Sequence, residues 1–179
     1  VSIDSFHHQV AARAVEAGAH IINDISGGWM DANMIPTVAA LGVPYVCMHM
    51  KGNPQTMQSM AHYKDITLEL ADYFTERIDA CRTAGIKDII LDPGLGFAKT
   101  MEQNFELLDK LDALKVYGYP LLLGVSRKSM IAKTLGISAA ESLNGSTVLH
   151  TIGLMRGADI LRVHDVKEAV QAVELYQAL

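Results

Sequence analysis

Ile89-Ile90-Leu91-Asp92-Pro93-Gly94-Leu95-Gly96-Phe97 is a short apolar run that ends in a carboxylate and then turns sharply. Its first three residues predict a strand that is buried on both faces of a parallel sheet. The proline and glycines that follow predict a bent exit whose backbone can approach a ligand, with Phe97 as a wall. Because Phe97-Ala98-Lys99 follows the chain's only G-x-G, the G-x-G-x-x-G turn of a dinucleotide-binding sheet is absent.

Comparable apolar runs lie on either side of this one and alternate with segments of helical period. The runs are Val1-Ser2-Ile3, His20-Ile21-Ile22, Tyr45-Val46-Cys47-Met48, Leu121-Leu122-Leu123 and Ile160-Leu161-Arg162-Val163. The helical segments cover about residues 9–17, 32–41, 66–84 and 104–114, and a last helix follows Asp165. Strand-then-helix units in a row predict an α/β fold with a parallel sheet and right-handed crossovers.

The helix boundaries carry signals of their own. Asp31 and Asp65 stand where N-caps are expected, and Gly85 stands where a helix should end. Ser138-Ala139-Ala140-Glu141 and Asp165-Val166-Lys167-Glu168 have the pattern of capping boxes.

Charge and composition exclude several classes of function. Twenty acidic residues against fifteen Lys and Arg give a net charge of −5, which argues against binding nucleic acid or an anionic membrane. No stretch is apolar for long enough to span a bilayer, and two cysteines cannot build a disulfide scaffold. We expect a single domain over residues 1–179 that is located in the cytoplasm, or in the mitochondrion if the source is a plant.

Polar or titratable side chains follow nearly every predicted strand. In chain order they are Asp4, Asn23-Asp24, His49, Asp92, Ser126-Arg127-Lys128, and Arg162 with His164. A TIM (β/α)₈ barrel carries its active site at the carboxyl ends of its strands, although a single Asp there is a common turn residue. Because nearly every predicted strand ends in this way, we predict the barrel rather than an open doubly wound sheet.

The basic residues cluster after the last two predicted strands. They are Ser126-Arg127-Lys128 and the pair Arg162 and His164. On a chain of net negative charge this cluster predicts an anion site, and the last strands of a barrel form its usual phosphate position. The alternative is that Arg162 and Lys128 form salt bridges to the carboxylates at other strand ends.

Asp4, Asn23 and Asp92 form a second, acidic group. Carboxylate and amide groups can pair with the edge of a flat heterocycle that carries N–H and ring-nitrogen groups. For Asn23 the alternative is an amide that is satisfied within the core. His49 lies between two methionines, but no second His or Cys stands at ligand spacing, so we predict no metal there.

Several motifs together resemble the dihydropteroate synthases, the pterin-binding enzymes of folate biosynthesis. The motifs are Ser2-Ile3-Asp4-Ser5, Ala19-His20-Ile21-Ile22-Asn23-Asp24, Met48-His49-Met50-Lys51-Gly52-Asn53-Pro54-Gln55-Thr56-Met57-Gln58, Leu91-Asp92-Pro93-Gly94-Leu95-Gly96-Phe97, Gly124-Val125-Ser126-Arg127-Lys128-Ser129 and Arg162-Val163-His164-Asp165-Val166. Each is weak alone, and their order along the chain makes the resemblance specific.

The resemblance implies a reaction and a residue for each part of it. A pterin methylene would pass from 6-hydroxymethyl-7,8-dihydropterin diphosphate to the amine of p-aminobenzoate, with Mg²⁺ assisting and pyrophosphate leaving. The pterin contacts would be Asp4, Asn23, Met48, Asp92, Phe97 and Lys128. The diphosphate would be held by Asn23, Arg162 and His164, and p-aminobenzoate would be bordered by Ser126 and Lys128. Asp4, Asp92 and Lys128 would be the catalytic residues.

The resemblance begins part-way through the family pattern. The family's first two strands, with the Asn that ligates the metal, would precede Val1, so the chain would supply strands three to eight and no metal ligand. We therefore expect these residues to belong to a longer enzyme and to be inactive alone. The family also implies a homodimer, and it commonly has Gly where Ala98 stands here.

Three other functions fit parts of the pattern. Lys128 could form a Schiff base in an aldolase-like barrel. A methyltetrahydrofolate-dependent methyltransferase would share Asp4, Asn23 and Asp92 but would not need the basic cluster. A pterin-binding module without catalysis would fit a chain that lacks the first two strands.

Overall fold

The computed structural model describes all 179 residues as six strands, seven α-helices and two short 3₁₀ helices. The strands are β1 (Ser2–Asp4), β2 (Ile21–Asp24), β3 (Tyr45–Met48), β4 (Ile89–Asp92), β5 (Leu122–Leu123) and β6 (Ile160–Leu161). The α-helices are α1 (His8–Glu16), α2 (Met34–Leu41), α3 (Ile66–Ala84), α4 (Met101–Asp109), α5 (Ser129–Leu135), α6 (Leu143–Met155) and α7 (Val166–Gln177). The 3₁₀ helices are Met57–Met60 and Leu111–Tyr117.

All strand pairs are parallel, and the strands neighbour one another in chain order. One sheet has the order β1-β2-β3-β4, and β5 pairs with β6. Leu91 of β4 forms a parallel bridge with Leu121, and its N–H donates to the carbonyl of Pro120 at 2.9 Å, which joins the two sheets. Strands in chain order are typical of a barrel, whereas a doubly wound sheet reverses its order part-way.

The last strand returns to the first. Arg162, directly after β6, forms an ion pair with Asp4, the last residue of β1, although 158 positions separate them in the sequence. The two strands do not pair through their backbones. The six strands therefore form a curved sheet that is open between β6 and β1.

Helix α3 shows how the sequence produces the layer outside the sheet. Its buried residues recur every three or four positions, which places one apolar stripe against the strands: Ile66, Leu70, Phe74, Ile78 and Cys81. The Asp65 carboxylate accepts from the N–H of Leu68 at 3.0 Å, and Gly85 ends the helix in the left-handed conformation. Both predicted ends of this helix are confirmed.

One predicted helix start is wrong and one predicted cap bond is absent, in each case because the acidic residue has another partner. Helix α2 begins after Asn33, and the Asp31 carboxylate instead accepts from the backbone N–H of His8 at 2.9 Å. Asp165 makes no cap bond to α7 because its carboxylate binds Arg127.

The segment predicted as one helix over 104–114 is two elements. Helix α4 starts earlier, after a Thr100 capping box, and ends at Asp109 before the 3₁₀ helix Leu111–Tyr117. None of the helices has both the length and the apolar character that crossing a bilayer requires.

Candidate functional site

Strand register brings polar side chains to one edge of the sheet. Asp4 of β1 pairs in register with Asn23 of β2, and Met48 of β3 with Asp92 of β4. The Asn23 amide Nδ2 donates to Asp4 Oδ1 at 2.8 Å, while the Arg162 guanidinium pairs with Asp4 Oδ2. Parallel register and these hydrogen bonds thus bring Asn23, Asp4 and Arg162, which are far apart in the sequence, into one row.

Asn23 has an acceptor without a donor. The residue is 3% exposed, and its carbonyl oxygen Oδ1 has no hydrogen-bond partner. A buried acceptor left unpaired costs about 1–3 kcal/mol, so such an atom is uncommon in a settled core. The Asn23 amide is therefore half satisfied by the protein: Nδ2 has a partner in Asp4, and Oδ1 has none.

Asp92 ends β4 in a buried position beside basic groups. Its Oδ1 accepts from the backbone N–H of Gly94 at 2.7 Å. Burial raises the pKa of Asp92, while the charge of Lys128, the Gly94 N–H and the more distant charges of Lys99 and Arg162 act in the opposite direction. The carboxylate is thus surrounded by positive charge without a direct ion pair.

Lys128 lies across the exit of β4. Its ammonium donates to the carbonyl of Leu95 and sits 5.1 Å from the centroid of the Phe97 ring. Burial lowers the pKa of Lys128, and the charge of Asp92 opposes that shift. Met48 is buried beneath the same exit, where Phe97 packs against its cluster. An apolar wall and a cation therefore face the same region.

The ends of β5 and β6 are joined by Ser126 and His164. Ser126 Oγ accepts from the backbone N–H of His164 at 3.1 Å and lies 3.0 Å from His164 Nδ1. Since the hydroxyl has one hydrogen, which it can give to Nδ1, the neutral ring then carries its proton on Nε2. This leaves Nε2–H of the exposed His164 as a donor for an anion.

The comparisons with known proteins point to one family. The model of the pterin-binding enzymes matches residues 1–164. A dihydropteroate synthase of Escherichia coli is 42% identical over 180 residues, which cover 99% of this chain and 64% of the relative. Two structures of the Thermus thermophilus dihydropteroate synthase, one in complex with 4-aminobenzoate and one with 6HMPPP, each superpose with a TM-score of 0.96 at 37% identity. They cover 100% of this chain and 70% and 72% of theirs.

The chain belongs to the pterin-binding enzyme family. Every side chain predicted above for substrate contact or catalysis lies within the matched residues 1–164. The chain spans about 64% of the length of the E. coli relative. Its α/β fold, with a parallel sheet and surrounding helices, matches the fold of these structures.

One member of the basic cluster, Arg127, is paired with a carboxylate. Arg127 donates to both carboxylate oxygens of Asp165, at 2.9 and 2.7 Å, and to the carbonyl of Ala140 at 3.1 Å. Its φ of +54° is a left-handed value that few non-glycine residues adopt. Arg127 therefore joins the ends of β5 and β6, because its guanidinium donates to the Asp165 carboxylate that follows β6.

One buried charged residue near the site, Lys99, is not among those predicted from the sequence. Lys99 is 5% exposed and lies with His49 between the exits of β3 and β4. The sequence held a weak signal for it, since a lysine directly after the Gly-rich exit of a strand has little room to reach solvent. Only the folded chain shows which acceptors it meets.

Proposed function

We propose that this chain is part of a dihydropteroate synthase. The reaction transfers the pterin methylene from 6-hydroxymethyl-7,8-dihydropterin diphosphate to the amine of p-aminobenzoate and releases pyrophosphate. The observation that carries the proposal is the unpaired, buried Oδ1 of Asn23 in a row in which Asp4 lies between Asn23 and Arg162. The names of the E. coli and T. thermophilus relatives support the same activity.

The pterin would bind between the β1–β2 row and the exit of β4. Carboxylates of Asp4 and Asp92 accept from ring N–H groups, and Lys128 donates to a ring acceptor. The Asn23 Oδ1 receives a further N–H from the ligand, which removes the cost of leaving it unpaired. Met48 and Phe97 would enclose the faces of the ring, since both belong to the apolar cluster at this exit.

The diphosphate would bind at the side of the site that carries the cations. Arg162 pairs with Asp4, and both side chains are about half exposed, at 51% and 55%. Such an exposed pair contributes at most about 1 kcal/mol, so an incoming diphosphate can replace the carboxylate at low cost. His164 would donate from Nε2 and Asn23 would contact the same group.

The p-aminobenzoate would lie beside Ser126 and Lys128, at the exits of β5 and β4. Ser126 is buried, and its hydroxyl is hydrogen-bonded to His164. This bond holds in place the hydroxyl that borders the subsite. The Lys128 ammonium borders both the pterin and the p-aminobenzoate, which places it where the two substrates meet.

The chemistry follows from where the charges stand. The bond between the methylene carbon and the diphosphate oxygen breaks, a carbon–nitrogen bond to the amine forms, and the amine loses a proton. Arg162 and His164 stabilise the negative charge that develops on the leaving diphosphate. Asp4 and Asp92 stabilise the electron-poor pterin, and Lys128 orients it, so these three are the catalytic residues of the proposal.

A divalent metal accompanies this activity, and we propose that it is Mg²⁺. The 179 residues hold no group of three or more His, Cys, Asp or Glu side chains that could bind a metal ion by themselves. The residues present therefore do not build the metal site, and no step above depends on it.

We further propose that residues 1–179 form one domain that corresponds to strands three to eight of a barrel. The coverage of 64% of the E. coli relative and the unpaired facing edges of β1 and β6 support this placement. Two more strand–helix units would close the gap and bring the metal ligand. A homodimer and a cytoplasmic location are further parts of the proposal, carried by the family resemblance and the composition.

Calorimetry with the two substrates tests the proposed function. The chain should bind 6-hydroxymethyl-7,8-dihydropterin diphosphate, and Asp92→Asn should weaken that binding at least about tenfold, or about 1.4 kcal/mol. Asp88→Asn, just before β4, is the matched control and should leave the affinity unchanged.

Two other outcomes would indicate other functions. A chain that binds the pterin and never p-aminobenzoate would be a binding module. Borohydride trapping of a carbonyl substrate on Lys128 would instead indicate an aldolase.

A further inference from the structure

Lys99 places a buried ammonium group between the exits of β3 and β4. Its Nζ lies 3.0 Å from the carbonyl oxygens of Gly94 and Phe97, 3.0 Å from His49 Nδ1 and 3.5 Å from the His49 carbonyl oxygen. The acceptors are backbone carbonyls and a ring nitrogen rather than a carboxylate. An ammonium group that is used this way organises a backbone instead of balancing a charge.

The carbonyls converge because the two exits touch backbone to backbone. Gly94 has a φ of +67°, and a Cβ built there would lie 2.1 Å from the His49 carbonyl oxygen. Ala98 has a φ of +50°, and its carbonyl oxygen accepts from the Tyr63 hydroxyl at 2.9 Å. Buried carbonyls need donors, and Lys99 supplies donors to the carbonyls of Gly94, Phe97 and His49.

The turn that Lys99 holds, residues 92–97 at the exit of β4, carries two of the proposed pterin contacts. Asp92 begins it, and Phe97 contributes one of the carbonyls that the ammonium binds. His49, on the other side of Lys99, follows Met48, which is in register with Asp92. A shift of Lys99 would therefore move the carboxylate and the ring relative to each other.

We propose that Lys99 is a positioning residue for the pterin site, whose ammonium clamps the β4 exit to the β3 exit through His49 and so sets where Asp92 and Phe97 stand. The proposal rests on the proposed function for its ligand. It adds a residue that acts through the backbone and through His49 rather than by touching the substrate.

The charges around Lys99 make the clamp sensitive to pH. Burial lowers the pKa of Lys99 to about 7, Asp92 opposes that shift, and Lys128 and Lys51 reinforce it. Burial also lowers the pKa of His49 to about 2, so the ring stays neutral, and Nδ1 accepts from the ammonium in the tautomer that carries its proton on Nε2. As the pH rises through about 7, Lys99 becomes an amine with two N–H groups and must release an acceptor.

Binding of 6-hydroxymethylpterin at pH 6 and pH 8.5 tests the ligand side of the proposal. Lys99→Met should bind at least tenfold more weakly than the unmodified chain at pH 6, and the gap should narrow at pH 8.5. Lys99→Gln keeps an N–H donor without the charge, so its affinity should lie between those of Lys99→Met and the unmodified chain. It replaces Lys99→Met in the test if that variant fails to fold. Lys133→Met, an exposed position on α5, is the matched control and should follow the unmodified chain.

Hydrogen exchange of the Phe97 amide tests the clamp without a ligand. This amide donates to the Gly94 carbonyl at 3.0 Å within the clamped turn, so Lys99→Met should speed its exchange at least tenfold and Lys133→Met should not. If the unmodified chain does not bind the pterin but Lys99→Met still speeds exchange of the Phe97 amide, the proposed function is wrong. The contact by which Lys99 holds the turn is then supported on its own. Unchanged amide protection, or equal pterin affinity of Lys99→Met and the unmodified chain at pH 6, overturns the proposal.

Discussion

At the scale of single residues, the site is defined by which polar atoms have partners and which do not. The two ends of the Asn23 amide differ, since Nδ2 is held by Asp4 while the buried Oδ1 has no donor. The same carboxylate of Asp4 is shared with Arg162. These contacts organise the site and leave one acceptor, Asn23 Oδ1, that fits an N–H of the proposed pterin.

Asn23→Ala should therefore separate binding from stability. Removing the side chain deletes both the unpaired acceptor and one hydrogen bond to Asp4, so stability should change little. Affinity for 6-hydroxymethyl-7,8-dihydropterin diphosphate should fall at least about tenfold, or about 1.4 kcal/mol. Calorimetry on this variant, with the exposed Asn33→Ala as its control, checks the expectation; an affinity equal to that of the control would contradict it.

Gly94 and Gly136 give a matched pair for the close contact beneath Lys99. Both have nearly the same φ, +67° and +66°, but a Cβ at Gly94 would meet the His49 carbonyl oxygen at 2.1 Å, and one at Gly136 would meet nothing within 4 Å. Gly136→Ala should cost about 1 kcal/mol from its backbone conformation alone. Gly94→Ala should cost at least about 2 kcal/mol more, because the backbone must also move. Urea unfolding measures both, and equal losses would refute the close contact.

At the scale of elements, the connections between strand ends and helix starts decide the geometry. Asp31 illustrates this, because its carboxylate joins the loop before α2 to the first turn of α1 through the N–H and ring of His8. Those hydrogen bonds to His8 lower the pKa of Asp31 to about 2. An acid with a lowered pKa stabilises the fold above its ordinary pKa and loses that effect as the pH falls toward the lowered value.

Asp31→Asn should consequently destabilise the chain at neutral pH and matter less in acid. The melting temperatures of the variant and the unmodified chain should differ at pH 7 and converge as the pH is lowered from about 4 toward 2. Asp72→Asn, at an exposed position on α3, is the control. A difference that stays constant from pH 7 to pH 3 would show that the His8 contact does not cause the effect.

At the scale of the whole molecule, the open side of the sheet is the dominant feature. The Arg162–Asp4 ion pair is the contact that joins β6 to β1, and both partners are about half exposed. A parallel sheet ordinarily buries both of its faces, and edges without partners expose backbone groups to solvent. The proposed barrel would place two further strands in this gap.

The chain alone should therefore form no measurable 7,8-dihydropteroate from its two substrates. Adding the first two strand–helix units of the E. coli relative as a separate polypeptide should restore turnover, because they would close the sheet. A spectrophotometric assay of pteroate formation provides the measurement. Turnover by the purified chain without any addition would overturn the proposal that it is strands three to eight alone.

Particular residues show which features of the fold and the site can be predicted from the sequence. The strand Tyr45–Met48 and the helix Ile66–Ala84 have the predicted bounds, because apolar period and caps act over a few neighbouring positions. For Asp31, Asp165 and Arg127, the structure shows partners other than those that the sequence predicts. Each is a polar group whose choice between a local cap and a distant donor or acceptor depends on packing.

The sequence by itself determined the alternation of strands and helices, the parallel sheet, and the kinds of side chain that stand at the strand ends. These features depend on residues near one another along the chain, where period, proline, glycine and capping chemistry are sufficient. The tertiary structure alone decided that Arg162 meets Asp4, that Arg127 is used by Asp165, and that Lys99 lies buried against His49. Those pairings join residues 158, 38 and 50 positions apart, so they exist only once the curved sheet has brought its strand ends together.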